Sequence, residues 1–248
     1  MTPVTMTTAY CGPAPVPDNL LYAWNPDIAA IALAAGLVLA HLRWGRTDLR
    51  RHMALSVGAI LILFISPLCA LTVALFSARV AHHVLLVAVV APLLALAFPE
   101  TARTRHRLPI EWLVGIHALA IWFWHAPEAY EVGIGTGPAY WTMQASLLFT
   151  GFAMWRRILS ARTETGSAML ALLATVVQMG MLGALLTFAG EPLYAAHAGT
   201  TLAFGLTPLE DQQLGGLIMW VPAALPYLAA ALLLFAGRLE GEAGSARR

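Results

Sequence analysis

Apolar residues run along this chain in long blocks, separated by short polar stretches. Crossing the hydrocarbon core of a bilayer takes about 20 predominantly apolar residues. Seven blocks come close to that length, at roughly 27–43, 53–76, 80–98, 110–125, 140–159, 168–189 and 214–237. Backbone groups in lipid must be hydrogen-bonded within their own segment, so each block is predicted as a helix. Aromatic residues at block ends, among them Tyr22, Trp24, Trp112, Trp122 and Trp124, suit the membrane interface. The pattern predicts an all-α polytopic membrane protein, a bundle of seven transmembrane helices. Residues 1–26 would form an external N-terminal arm, 27–237 the transmembrane domain and 238–248 a cytoplasmic tail.

Composition agrees. Only 11% of residues are charged and 59% are apolar. A soluble domain carries about 25% charged residues, so this chain cannot cover a globule with polar groups. The fourteen basic residues are all arginine, and their placement gives a direction. The connections after blocks one, three and five and the C-terminal tail hold every arginine except Arg79. The opposite side holds Asp18, Asp27, Glu128, Glu131, Glu191, Glu210 and Asp211. By the positive-inside rule the N-terminus lies outside and the C-terminus in the cytoplasm. Seven crossings require opposite termini, so count and charge agree. Arginines beside lipid headgroups leave no place for nucleic acid, and no connection is large enough to house a catalytic domain. The Pro- and Thr-rich N-terminus lacks the features of a cleavable signal and reads as a loose arm. Cys11 and Cys69 are far apart in sequence, form no Cys-x-x-Cys pair and suggest no disulfide framework.

This topology sorts the histidines. His41, His52 and His106 fall at the inner surface; His82, His83, His125 and His197 fall at or near the outer one. His117 lies about 12 Å deeper than His125, two helical turns along block four. His82 and His83 point about 100° apart, so at most one is expected to face the bundle interior well. His125 precedes Ala-Pro, which ends its helix and leaves it near water. In "TPLEDQQLGGLIMWVP", Asp211, Gly215 and Met219 share one helical face. Asp211 and the glutamines suit capping of that helix, and Gly215 and Gly216 suit close packing. Imidazole with thioether suits Cu(I); imidazole with carboxylate suits Cu(II) or zinc. The outer side offers His82, His83, His125, His197, Met143, Met219 and Asp211 for such a site. Each also has a structural reading: a wet interfacial histidine, a bonded core imidazole, a methionine that fills space.

The segments "LFSARVAHHVLL", "WFWHAPEAY", "EPLY" and above all "LTPLEDQQLGGLIMWVP" resemble, in this order, the CtaG family of polytopic assembly factors for caa-type cytochrome c oxidases. The resemblance runs from Trp24 to Leu228. It implies a bacterial inner-membrane protein, not an enzyme, that works with cytochrome c oxidase subunits in the lipid bilayer. A copper role is implied as well, with a copper donor protein as a further partner. Carried onto matching positions, it points to His83, His125 and Met219 as metal ligands, with His82 as an additional one. Asp211, Gln212 and His117 would support the ligands or gate access. Where the family often has histidine, this chain has Arg79 and Ala145. Two other readings stay open: a haem- or quinone-binding redox protein, and a metal-free scaffold for oxidase subunits.

Overall fold

The computed structural model describes residues 9–101 and 108–246, with side chains through residue 240. Among these residues the regular structure is helical, without a strand. Arg103, Arg105, His106, Arg107, Arg247 and Arg248, all assigned to the inner side by sequence, lie outside the described residues.

Each apolar block falls on one helix or on a chain of helices. The first is α1 (Ile28–Trp44), capped by Asp27, whose carboxylate accepts from the Ala30 N–H. The second is bent by 48° between α2 (Arg50–Ile65) and α3 (Pro67–Ala74). Pro67 has no N–H to give the turn before it and pushes Ser66 into the extended region. Ser66 Oγ then caps α3 by accepting from the Leu68 N–H. Leu75, also extended, breaks the chain again before α4 (Phe76–Leu85). One π-helical turn, Leu86–Val90, joins α4 to α5 (Ala91–Ala97). This wide turn precedes Pro92, which supplies no N–H of its own, and the Trp155 indole N–H bonds the Val87 carbonyl at 2.9 Å.

The fourth block is α6 (Ile110–His125), which stops at His125 as the Ala-Pro sequence requires; α7 (Pro127–Gly135) follows. Then come α8 (Gly137–Ile158) and α9 (Thr165–Thr187). A connection with two 3-10 turns leads to α10 (Pro208–Trp220) and α11 (Ala224–Ala246), which are separated at Pro222. Among the described residues three helical runs are long and apolar enough to cross a membrane: Phe76–Ala97, Thr165–Thr187 and Pro208–Glu240. The bent α2–α3 pair would make a fourth, and α1 is a shorter apolar helix. These helices mark a membrane protein.

At the centre α4 packs on α10, which packs on α9, while α5 and α6 lie against α8. Phe76, Arg79, Val80, His82 and His83 of α4 are all buried. That corrects the expectation that only one of the adjacent histidines faces inward: a helix enclosed on several sides buries both. A second correction concerns the cysteines. Cys11 and Cys69 form a disulfide, their Cα atoms 5.5 Å apart across a sequence separation of 58 residues. Chain distance hid a contact that only the fold creates. The arm is therefore fastened from Cys11 onward, and Asn25 adds hydrogen bonds to the Ile65 and Phe64 carbonyls.

Candidate functional site

The polar mouth of α10 is built from a tight set of bonds. Thr207 and Glu210 form a reciprocal capping box: each side chain accepts from the other's backbone N–H. Asp211 has another job. Its two carboxylate oxygens accept from the Phe76 N–H at 2.6 Å, the Ser77 N–H at 3.1 Å and the Ser77 hydroxyl. It thus caps α4 and not its own helix, which corrects the capping expected from the sequence. Those amides have no partner within α4, and a carboxylate there suits the helix dipole. Gln212 joins two further elements, accepting from the Leu193 N–H at 2.6 Å and donating to the Leu186 carbonyl at 3.3 Å. One turn inward the backbones of α9 and α10 meet. A Cβ on Gly216 would sit 2.5 Å from the Gly183 carbonyl oxygen, so no larger residue fits. Gly215 packs against the side chains of Phe76 and Val80 of α4, where a Cβ would sit 2.8 Å from the Phe76 ring.

This clasp positions the histidines of α4. The rings of His83 and His125 are 5.8 Å apart, and those of His82 and His83 are 5.9 Å apart. All three are buried. His125, expected near water, is enclosed instead, because α7 and the connection before α10 cover it: the Tyr194 hydroxyl bonds its carbonyl at 2.7 Å. Its Nδ1 lies 2.7 Å from the Ile121 carbonyl, a contact that needs a proton on Nδ1 and leaves the Nε2 lone pair free. His83 Nε2 lies 3.2 Å from Gln144 Nε2, and His83 Nδ1 has no partner among the described residues. Neither nitrogen of His82 has one; the Leu63 carbonyl is nearby but outside hydrogen-bond geometry, and Phe64 meets the ring edge-on at 5.0 Å.

The remaining candidates are distributed around this centre. Met219 is buried on the α10 stripe that carries Asp211 and Gly215. His117 is buried farther along α6, where its Nδ1 meets the Thr150 hydroxyl at 2.9 Å. Met143 is buried, its sulfur packed near Gly133. His197 is not at the surface; its Nε2 pairs with the Tyr130 hydroxyl at 2.7 Å. Burial, with Arg79 nearby, pushes His197 down to about 4, and burial pushes Tyr130 up to about 12. Among the described residues no three of His, Cys, Asp and Glu converge as a ready metal-holding group.

Two buried polar residues gain importance from the fold. Arg79 stands one turn before His83 on the same face, its guanidinium 5.3 Å over the Tyr140 ring. Its Nε and Nη1 have no hydrogen-bond partner among the described residues, although the hydroxyls of Tyr130 and Tyr140 are close. Gln144 approaches His83 from α8 and leaves its Oε1 unpaired. The sequence offered one signal for each: a lone arginine on the acidic side, and an amide inside an apolar block.

No curated protein and no solved structure matches this chain. The family model described as cytochrome c oxidase caa3 assembly factor matches residues 31–240. The match takes in the α10 mouth, the three clustered histidines and Met219. The chain belongs to the family of caa3-type cytochrome c oxidase assembly factors, and its role is accordingly non-enzymatic.

Proposed function

We propose that this assembly factor crosses the bacterial inner membrane seven times, N-terminus outside, and holds a copper ion in passage to the oxidase. Copper here is cargo, received from a donor protein and released to an oxidase subunit. One observation carries the reading: His82, His83 and His125 are buried side by side, and His82 and His83 keep ring nitrogens without a partner among the described residues. A buried imidazole without a partner is costly unless something else occupies its lone pair. Two imidazoles sharing an ion about 2 Å from each nitrogen would have ring centres roughly 5–6 Å apart, and the observed separations match. His125 would bind through Nε2, since Nδ1–H is held by the Ile121 carbonyl. Met219 would add a soft donor through its flexible side chain, with α10 staying in place. Asp211 would keep α4 in register with α10, Gln212 would tie α10 to α9 and the connection before it, and His117, bonded to Thr150, would stay outside the ligand set. Few, exchangeable ligands suit a carrier that must let go.

The scaffold reading has one observation in its favour, the lack of a preformed three-group cluster among the described residues. Oxidase maturation in cells separates the two. Copper carriage requires that His83→Ala and His125→Ala lose oxidase activity under copper limitation and regain it in part with added copper, at normal protein levels. Met219→Leu conserves volume and should keep the fold within about 1.5 kcal/mol while showing the same copper-dependent defect. Full activity of all three variants at every copper level would leave the scaffold.

A further inference from the structure

We propose that a cavity beside His83 binds a membrane-soluble quinol, a neutral hydroxyl-bearing ring on an apolar chain. The cavity, about 390 Å³, lies between α1, α2, α5 and α8. Leu33, Phe64, Trp141 and Phe149 give it apolar and aromatic walls. Ala145 and Phe149 are exposed, so it opens on the flank of the bundle rather than at either end. Its polar lining residue is Gln144, which is 1% exposed. Gln144 Oε1 has no hydrogen-bond partner among the described residues, and the amide nitrogen is 3.2 Å from His83 Nε2.

The chemistry of the cavity narrows its occupant. A lipid acyl chain would fill the apolar walls and leave the amide oxygen orphaned, which is unfavourable in hydrocarbon. A charged headgroup would find no countercharge, because no charged residue lines the space. A ring hydroxyl would donate to Gln144 Oε1. The ring would lie against Trp141 and Phe64, which already stack at 5.1 Å, and the tail would leave past Ala145. If the amide were turned over, its N–H would serve a carbonyl of the oxidised ring instead. Gln144 thus becomes the polar contact of a binding site and links its occupant to His83. This inference goes beyond copper carriage and does not require it.

The test uses the full chain in phosphatidylcholine nanodiscs, with a metal chelator present and labelled decylubiquinol as probe. Retained probe is measured against empty discs. The expected result is saturable binding of about one probe per chain above the lipid background. Gln144→Leu keeps the shape but removes the hydrogen bond and should weaken binding about tenfold, or about 1.4 kcal/mol. Ala145→Phe should abolish it by filling the passage, and Ala145→Leu, a gentler obstruction, should weaken it if the larger residue disturbs folding. No saturable excess over empty discs would overturn the proposal, since it would leave only lipid in the cavity. Binding unchanged by Gln144→Leu, or by both Ala145 variants, would overturn it too. Because the chelator removes metal, failure here leaves the copper reading standing, and success does not support it.

Discussion

Two polar regions lie within a few turns of each other in this protein, one half exposed and one buried, and they are built on opposite terms. At the mouth of α10 the side chains of Thr207, Glu210, Asp211 and Gln212 all find partners. In the centre they serve, His82, His83, Arg79 and Gln144 each keep at least one buried polar atom without one. Orphaned atoms occur elsewhere, at both nitrogens of His41 and at the Tyr227 hydroxyl for example, but there they are scattered. A saturated network resists rearrangement and fixes geometry; an unsaturated one has capacity to spare for a ligand. The contrast separates what holds this molecule together from what it is held together for.

Substitutions can break that contrast from either side. The largest stability loss is expected for Asp211→Ala, which orphans two buried N–H groups and the Ser77 hydroxyl at once. About 3 kcal/mol or outright misfolding should follow, read as a lowered midpoint in detergent unfolding. Indifference to this change would mean that the clasp is not structural. Thr207→Ala removes one half of the capping box and should cost about 1 kcal/mol in the same assay, with copper handling intact.

A smaller effect comes with acid. His197 sits at about 4 in the fold against an ordinary 6.5. The folded chain therefore takes up this proton less readily than the unfolded chain. The stability tied to it is complete above about 6.5 and drains away as pH falls from there toward 4. Amide exchange across residues 188–207 should quicken over that window, and His197→Gln should remove the step. The smallest change, opposite in sign, is expected for His82→Phe. Replacing an unpaired buried imidazole by an apolar ring of similar size should leave the unfolding midpoint unchanged or slightly higher. Oxidase maturation should nevertheless fall. A clear loss of stability would instead show that His82 is a packing residue with a partner.

Much of the fold was legible because membrane burial imposes long apolar blocks, and proline and glycine mark their breaks. The end of α6 at His125 and the close packing at Gly215 and Gly216 both follow from local sequence. The site was legible only in outline. His83, His125 and Asp211 could be placed at similar depth, but helix periodicity alone cannot say that α4 is enclosed on several sides, which is why His82 is buried too. Nor can it say which N–H groups a carboxylate serves: Asp211 caps a helix 134 residues away in sequence rather than its own. The Cys11–Cys69 bridge, the Gly183–Gly216 contact and the approach of Gln144 to His83 are pairings across the chain, and a single sequence carries no record of them.

The claim that the unsaturated centre exists for a metal is tested most directly by copper stoichiometry. Purified chain is loaded with Cu(I) under reducing conditions mild enough to spare the buried disulfide, then washed against a weak competitor. The account requires about one copper per chain in the parent protein, lost in His83→Ala and in His125→Ala, with unfolding midpoints no lower than the parent's by more than about 1–2 kcal/mol. A parent protein that retains no copper, or both variants retaining as much as the parent, would contradict it.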